Sequence, residues 1–306
     1  MNFKELYFKW ATDKKQYIKK SSISAYMLLA ENHLLPDFGN NTEILEFDLQ
    51  EFVLKKLQVG GLGQKTVKDI LIVLKMILKW GHKHHEFIYK EFEIKFPTNH
   101  ENKKTEVLSV SNYKKAVAYV INNFDFRNFG VLICLSTGLR IGEVCALRFE
   151  DIDLEAGVLK IRRTIQRIYV CDEGEKRRTE LYIDTPKTKN SIREIPLSHD
   201  LVKIFKPLEK IVNPDFYVLT NNAKPTEPRT YRTYYYELMK IMEIPAIKFH
   251  GLRHSFATQC INAKVDVKTL SVMLGHSNVS TTFNLYVHPD AEQKKTAINQ
   301  LFQSLN

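Results

Sequence analysis

The chain has 306 residues, 44% hydrophobic and 26% charged, with 12 Gly and 10 Pro. That composition excludes wholesale disorder and collagen-like or low-complexity material, and the length fits about two domains with a core each. A net charge of +10 and a pI near 9.2 suit a polyanionic partner, because Lys and Arg that replace phosphate counterions release those ions.

No run approaches the ~20 apolar residues that span a bilayer, and MNFKELYFKWATDKKQ has no apolar leader core. A cytoplasmic protein without a membrane partner is the expectation. Ser21 and Ser22 are candidate caps of a helix through SISAYMLLAENHLL, ended by Pro36 and Gly39. Asp48 is the expected cap of a helix through QEFVLKKL, stopped by Gly60 and Gly61. From Gln64 to Lys79, apolar residues fall at Val67, Ile70, Leu71, Leu74, Ile77 and Leu78, the period of a helix with one buried stripe. Lys65, Lys68, Lys75 and Lys79 line its opposite edge, so a small helical bundle with a lysine face follows. The GHKHH run at 81–85 has no partner Cys or carboxylate at helical spacing and reads as a solvated helix end rather than a metal site. Polar residues over 95–107 read as an exposed linker, with domains at 1–98 and 108–306 and the linker at 99–107.

Beyond the linker, helices are expected over 110–122 and 127–137, with a break at Gly138 and a new helix near Ile141. Val158 to Pro196 is strand-like: VLKIRRTIQRIYV alternates, CDEGEKRR is a polar turn, ELYID resumes, and TPKTKNSIREIPL adds a turn and a strand. Helices follow over 199–211, 230–242, 251–263, 266–274, 278–288 and 290–304. The expected class is α+β, mainly α with a small antiparallel three-stranded sheet. Cys134, Cys145, Cys171 and Cys260 show no CxxC spacing and read as free thiols. Residues 1–104 hold 17 Lys and no Arg, and all twelve Arg lie from Arg127 onward. Arg forks suit fixed phosphate geometry better than the point charge of Lys, although a bias in gene base composition gives the same asymmetry.

Four segments carry chemistry. In TGLRIGE, 137–143, the glycine permits a sharp helix junction and Arg140 stands at a helix start, where its fork can meet an anion. Glu143, three residues on, can hold that guanidinium. In PKTKN, 186–190, Lys187 and Lys189 sit on a turn between strands, from which a lysine can enter a groove. In HGLRH, 250–254, His250 and Arg253 share a helix face near its N-terminus, a fixed cation beside a pH-tunable donor. In LGHSNVSTTFNLY, 274–286, Gly275 can end a helix, Ser277 or Asn278 can cap the next, and Tyr286 falls ten residues after His276. Each alone has a bland reading: a surface ion pair, a solvated turn, a chance HxxR, one of 14 tyrosines. Together they can gather around one phosphate, with no DxD, HExxH or Walker loop to hold a metal. Side chains must then meet the transition-state charge, with tyrosine as covalent nucleophile and lysine as proton donor to the leaving oxygen.

In this order the boxes TGLRIGE, PKTK, HGLRH and LGH…Y resemble those of the tyrosine recombinase, or lambda-type phage integrase, family. The resemblance is detailed over 105–306 and general before that. It implies that Arg140 and Arg253 clamp the scissile phosphate, with Glu143 supporting Arg140. It implies Lys187 as general acid for the 5′-hydroxyl, Lys189 being the competing assignment, and His250 as the acid/base residue. His276 would be the last phosphate ligand, and Tyr286 the nucleophile that yields a 3′-phosphotyrosine. The bundle becomes a core-DNA-binding domain that clamps duplex DNA together with the catalytic domain. Also implied are no cofactor or metal, inverted half-sites in double-stranded DNA, monomers that meet as a homotetramer in the synapse, a Holliday junction, accessory DNA-bending proteins and a place at the nucleoid.

Lys65, Lys68, Lys75 and Lys79, with Arg229 and Arg232, are the expected DNA contacts, and Lys189 is counted with them. The amphipathic tail 290–304 is expected to dock on a neighbouring protomer, with packing on its own domain as the alternative. The chain begins with the bundle, as in Xer and Cre types, without an arm-binding domain. Even so, the PKTKNSIREIPL turn, the polar insertion near 171–178 and the His-to-Tyr interval favour a mobile-element integrase over Xer-like dimer resolution. A non-catalytic DNA-binding protein on the same fold and a topoisomerase-like relaxing enzyme stay open.

Overall fold

A computed structural model describes residues 1–98, 106–170, 178–186, 188–286, 295, 298–299 and 301–303. The polar turn with Cys171, Lys187, most of the linker 99–107 and most of the expected helix 290–304 lie outside the described residues. The chain divides into two compact units, Met1–Asn102 with Arg167–Tyr182, and Lys103–Gln166 with Ile183–Asn306.

In the first unit, α1 (Phe3–Lys14), α2 (Lys20–Leu29), α3 (Leu35–Phe38), α4 (Glu46–Gln58) and α5 (Gln64–Lys83) form the bundle. No expectation covered α1. Its Phe3, Leu6, Tyr7, Trp10 and Ala11 recur at helical spacing and are all buried, and Asn2 and Glu5 close a capping box at its start. A π-helical turn, Ala30–Leu34, leads from α2 into α3. Two expected caps are corrected. α2 already begins at Lys20 with Lys19 at its cap position, so Ser21 and Ser22 lie within it, Ser21 buried. α4 is capped at Leu45, and Asp48 sits inside its first turn, accepting the Leu45 N–H at 3.2 Å. On α5 the expected stripe Val67, Ile70, Leu71, Leu74, Ile77 and Leu78 is buried.

Residues 167–182 belong to this same unit. Tyr169 donates its N–H to Ser24 Oγ at 2.7 Å and its hydroxyl to Glu31 Oε2 at 2.6 Å, while the Tyr7 hydroxyl donates to Glu31 Oε1 at 2.8 Å. The buried Glu31 carboxylate is thereby satisfied at both oxygens.

The second unit opens with α6 (Val110–Asn122), α7 (Phe126–Thr137) and α8 (Ile141–Cys145). The strands of the chain are β1 (Ile152–Asp153), β2 (Val158–Ile161), β3 (Thr164–Val170), β4 (Arg178–Asp184) and β5 (Arg193–Pro196), of which β3 and β4 fall largely within residues 167–182 of the first unit. Then come α9 (His199–Phe205), α10 (Pro228–Ile241), α11 (His250–Asn262), α12 (Val267–Leu274) and α13 (Val279–Tyr286). The class is mainly α with small antiparallel sheets, but the strand detail differs from expectation. VLKIRRTIQRIYV splits into β2 and β3. β1, β2 and β5 make one antiparallel sheet, with Leu159 opposite Ile195 and Ile161 opposite Arg193, whereas β3 and β4 make a separate pair. Ser109, Asp125, Ser198 and Asp266 cap their helices through side-chain oxygens. Nearly every side chain of α7 is buried, so the unit's core forms around it. Among the described residues no helix is long and apolar enough to cross a membrane.

Candidate active site

Two glycines shape the site. Gly138 ends α7 and Gly275 ends α12, both at φ +67°, where L side chains are strained. Arg140 follows the first and precedes α8. Its backbone N–H donates to Glu143 Oε2 at 2.9 Å, and its Nη1 donates to Glu143 Oε1 at 2.8 Å.

Glu143 is only 3% exposed, and a carboxylate so placed needs more than one partner. Arg193 on β5 supplies a fork, with Nη1 and Nη2 donating to the two oxygens at 3.0 Å each. The same guanidinium donates from Nε to the Met273 carbonyl at 2.6 Å. Burial opposes the Glu143 charge, but Arg193 and Arg140 outweigh it and hold the carboxyl below its ordinary pKa. Sequence reasoning missed Arg193. A signal existed: Arg193 alternates with Ile195 and Leu197 on one face, and all three are buried.

Arg253 on α11 is 1% exposed. Its Nη1 donates to the Gly138 carbonyl at 2.9 Å and its Nη2 to the Leu274 carbonyl at 2.7 Å, so it ties together the two glycine-ended helices. Burial and the neighbouring Arg140 lower it to about 9, still cationic at neutral pH. His276 follows Gly275, and its Nδ1 lies 2.7 Å from the fully buried Thr282 hydroxyl on α13. With Thr282 donating, Nε2 is left as the nitrogen that can donate to an anion. Burial and the charges of Arg253, Arg140 and Arg193 push His276 down to about 4. His250 is open to solvent on one side of α11. Burial of its other side, then His254, Arg253 and Arg140, push it down to about 4, a depression that solvent screening moderates.

Tyr286 closes α13, with its hydroxyl 2.6 Å from His254 Nδ1. Burial raises the phenol's pKa, and Arg253 and Arg140 offset part of that rise. His254, the second histidine of HGLRH, has no role in the motif resemblance. Its one signal was a position four residues after His250, on the same helix face. Arg140, Glu143, His250, Arg253, His276 and Tyr286 thus gather in one unit. Three guanidinium groups face one carboxylate, and imidazoles kept neutral by burial and by surplus positive charge are the mark of a site built for an anion.

Lys187 lies outside the described residues, and the Lys189 backbone lies in the short 3-10 turn Lys189–Ser191. Lys68, Lys75 and Lys79 lie over the rings of Phe96, Phe92 and Tyr89 at 4.9, 4.7 and 5.8 Å. Lys65 is exposed on α5, as are Arg229 and Arg232 on α10. Among the described residues no three His, Cys, Asp or Glu side chains form a group able to hold a metal, GHKHH included.

A Cβ added to Gly275 would meet the Asn190 carbonyl at 2.8 Å and Arg193 Cδ at 3.0 Å. Gly275→Ala is therefore expected to cost about 1–2 kcal/mol from its left-handed backbone alone. A lowered midpoint in urea unfolding checks this, and an unchanged midpoint would contradict it.

Residues 106–293 match the model of the phage integrase family, and residues 2–56 that of the phage integrase N-terminal SAM-like domain. The chain belongs to the phage integrase family. It is 32% identical over 185 residues to a tyrosine recombinase XerC-like protein of Caldanaerobacter subterraneus subsp. tengcongensis, covering 56% of this chain and 47% of that protein. It is 28% identical over 231 residues to the transposase from transposon Tn916 of Enterococcus faecalis, covering 69% of this chain and 55% of the transposase. The chain spans about half the length of these curated relatives. Its fold matches the solved structure of the Tn1549 transposon integrase in complex with transposon right end DNA, with a TM-score of 0.76 at 23% identity over 98% of this chain and 99% of that one.

Proposed function

We propose that this protein is a site-specific DNA recombinase that integrates or excises a mobile element. One observation carries the reading: the Tyr286 hydroxyl lies where the charges of Arg253 and Arg140 act on it, within the cluster that keeps His250 and His276 neutral. A scissile phosphate held there has Arg140 and Arg253 on its oxygens, with Glu143 and Arg193 fixing Arg140. The Nε2 of His276 donates a further hydrogen bond, and His250 serves acid/base chemistry at the reacting phosphate. The Tyr286 oxygen attacks phosphorus, the 5′-oxygen leaves, and a 3′-phosphotyrosine keeps the bond energy for rejoining. Lys187 is the general acid for the leaving oxygen, with Lys189 two residues away as its competitor. Guanidinium charge meets the transition-state charge, so the reaction needs no cofactor.

The Tn916 and Tn1549 relatives support the mobile-element role over Xer-like dimer resolution. The bundle and the catalytic unit would clamp duplex DNA at inverted half-sites, and four protomers would exchange strands through a Holliday junction, with DNA-bending proteins assisting. Covalent capture tests the core of this. Nicked duplexes of the DNA flanking the gene, incubated with the protein and a chelator, should give a protein–DNA band on a denaturing gel. Tight binding without any such band would favour a non-catalytic DNA-binding protein.

Lys65 is exposed on α5, whereas Lys68, Lys75 and Lys79 lie over rings, so Lys65 is the first of the four to test as a phosphate contact. Lys65→Ala should weaken binding evenly across sequences and reduce the slope of log K against log salt by about 1. An unchanged slope in a salt titration would remove Lys65 from the DNA interface.

A further inference from the structure

The Tyr286 phenol must lose its proton to become a nucleophile, and the residue it touches is His254. The Oη–Nδ1 separation is 2.6 Å, and the two rings lie 5.6 Å apart, inclined at 51°. No hydrogen bond joins His250 to that phenol among the described contacts. The His250 ring instead stands edge-on to His254, with centroids 4.7 Å apart at 89°. We propose that His254 is a further catalytic residue, whose Nδ1 receives the Tyr286 proton during attack and returns it when the strand is rejoined. This rests on the recombinase reading above.

The step balances. The bond from Tyr286 oxygen to phosphorus forms as the bond from phosphorus to the 5′-oxygen breaks. The phenolic proton passes to His254 Nδ1, and the 5′-oxygen takes its proton from the general acid, for which Lys187 is the proposed residue. Neutral His254 in its Nε2–H tautomer accepts from the phenol, which is the arrangement needed before attack. Burial and Arg253 favour that neutral form. Of the groups that face His254, Tyr286 comes from α13, and His250 and Arg253 come from its own helix. Arg140 and Glu143 at α8 act on His250, and Arg140 with Arg193 on β5 acts on His276 after α12. Burial and Arg253 hold the His254 imidazole below its ordinary pKa, so it is ready to accept at neutral pH.

The test uses the full chain and the nicked flanking duplexes, with covalent capture read as a single-turnover rate. His254→Asn puts an amide oxygen where Nδ1 stood, an acceptor that takes no proton. It should slow capture on the order of 10²–10³-fold. Wild type should lose rate as pH falls through the His254 pKa, which lies below the ordinary imidazole value of about 6.5, because a protonated Nδ1 accepts nothing, and His254→Asn should lack that limb. His254→Ala should regain rate with added imidazole, which a packing role would not give. Equal rates and equal pH profiles in wild type and His254→Asn would overturn the inference. Faster capture by the variant would also overturn it, making the contact a resting latch.

A second readout needs no DNA. The titration midpoint of the His254 imidazole, followed by NMR in the free protein, should shift between wild type and Tyr286→Phe. An identical midpoint would overturn the inference even if His254→Asn folds poorly. The two failures stay distinct. Wild type that forms no adduct on its true site takes down the recombinase reading and this step with it. Wild type that forms one while the His254 variants match it takes down this step alone.

Discussion

Tyr286→Phe is expected to abolish the covalent protein–DNA band while leaving DNA binding within about threefold of wild type, because phosphate contacts dominate affinity. The substitution removes one oxygen. The ring stays in its small cluster against Phe256, Ala257, Leu270 and Leu274, so the fold around α13 has no reason to move. What is lost is the atom that forms the phosphotyrosine bond and its hydrogen bond to His254. Removing a covalent nucleophile costs on the order of 10⁴–10⁶-fold in rate, which on a gel is disappearance. The check is paired: a gel-shift titration for binding and a denaturing gel for capture. A band that survives Tyr286→Phe would mean another nucleophile and would sink the assignment.

Arg193→Met should produce the largest loss of stability. Arg193 is 4% exposed and its partner Glu143 is 3% exposed, so the methionine would leave a buried carboxylate with Arg140 as its remaining cation. Breaking such a pair from one side costs about 3–5 kcal/mol. For a unit of this size, that corresponds to a fall in melting temperature of roughly 6–15 °C. The pH dependence has a definite sign. Glu143 has a depressed pKa when folded, so its pairing stabilises the fold fully above the unfolded value of 4.5 and ceases to do so as pH falls through the folded value. The gap between wild type and Arg193→Met should therefore be full at pH 7 and shrink in acid. Comparing the two proteins at each pH cancels the separate acid loss from His250, whereas His276 loses the part of its depression that Arg193 supplies, so its smaller acid loss in the variant shrinks the gap further. Adding Glu143→Gln should recover part of the loss, since a carboxamide carries no charge to bury. Calorimetry at pH 7 and in acid measures all of this, and an unchanged melting temperature in Arg193→Met would refute it.

Much of the site was legible because its residues lie in short local boxes. TGLRIGE placed Arg140 and Glu143 at a helix start, and HGLRH put His250 and Arg253 on one turn. The residues that escaped act across long gaps in the chain. Arg193 meets Glu143 across 50 residues, and His254 meets Tyr286 across 32, so neither pairing shows in local spacing. Helix α1 had a readable stripe, but its segment was weighed only as a leader. The four lysines of α5 follow its helical spacing, but their surroundings do not. The rings that lie under Lys68, Lys75 and Lys79 come from 89–96, after the helix has ended, and a helical wheel does not include them. The strands went wrong for a related reason: alternation tells which face a residue takes, not which strand it pairs with.

The pairing of Tyr169 with Ser24 and Glu31 bears on how such a protein can be inherited in pieces. The first unit is encoded by two separated stretches of the gene, the second lying inside the sequence of the other unit. A chimera that exchanges only residues 1–98 receives Glu31 without the phenol and strand that evolved beside it. A swap of residues 1–98 between relatives would therefore succeed best where residue 169 already matches its new partners.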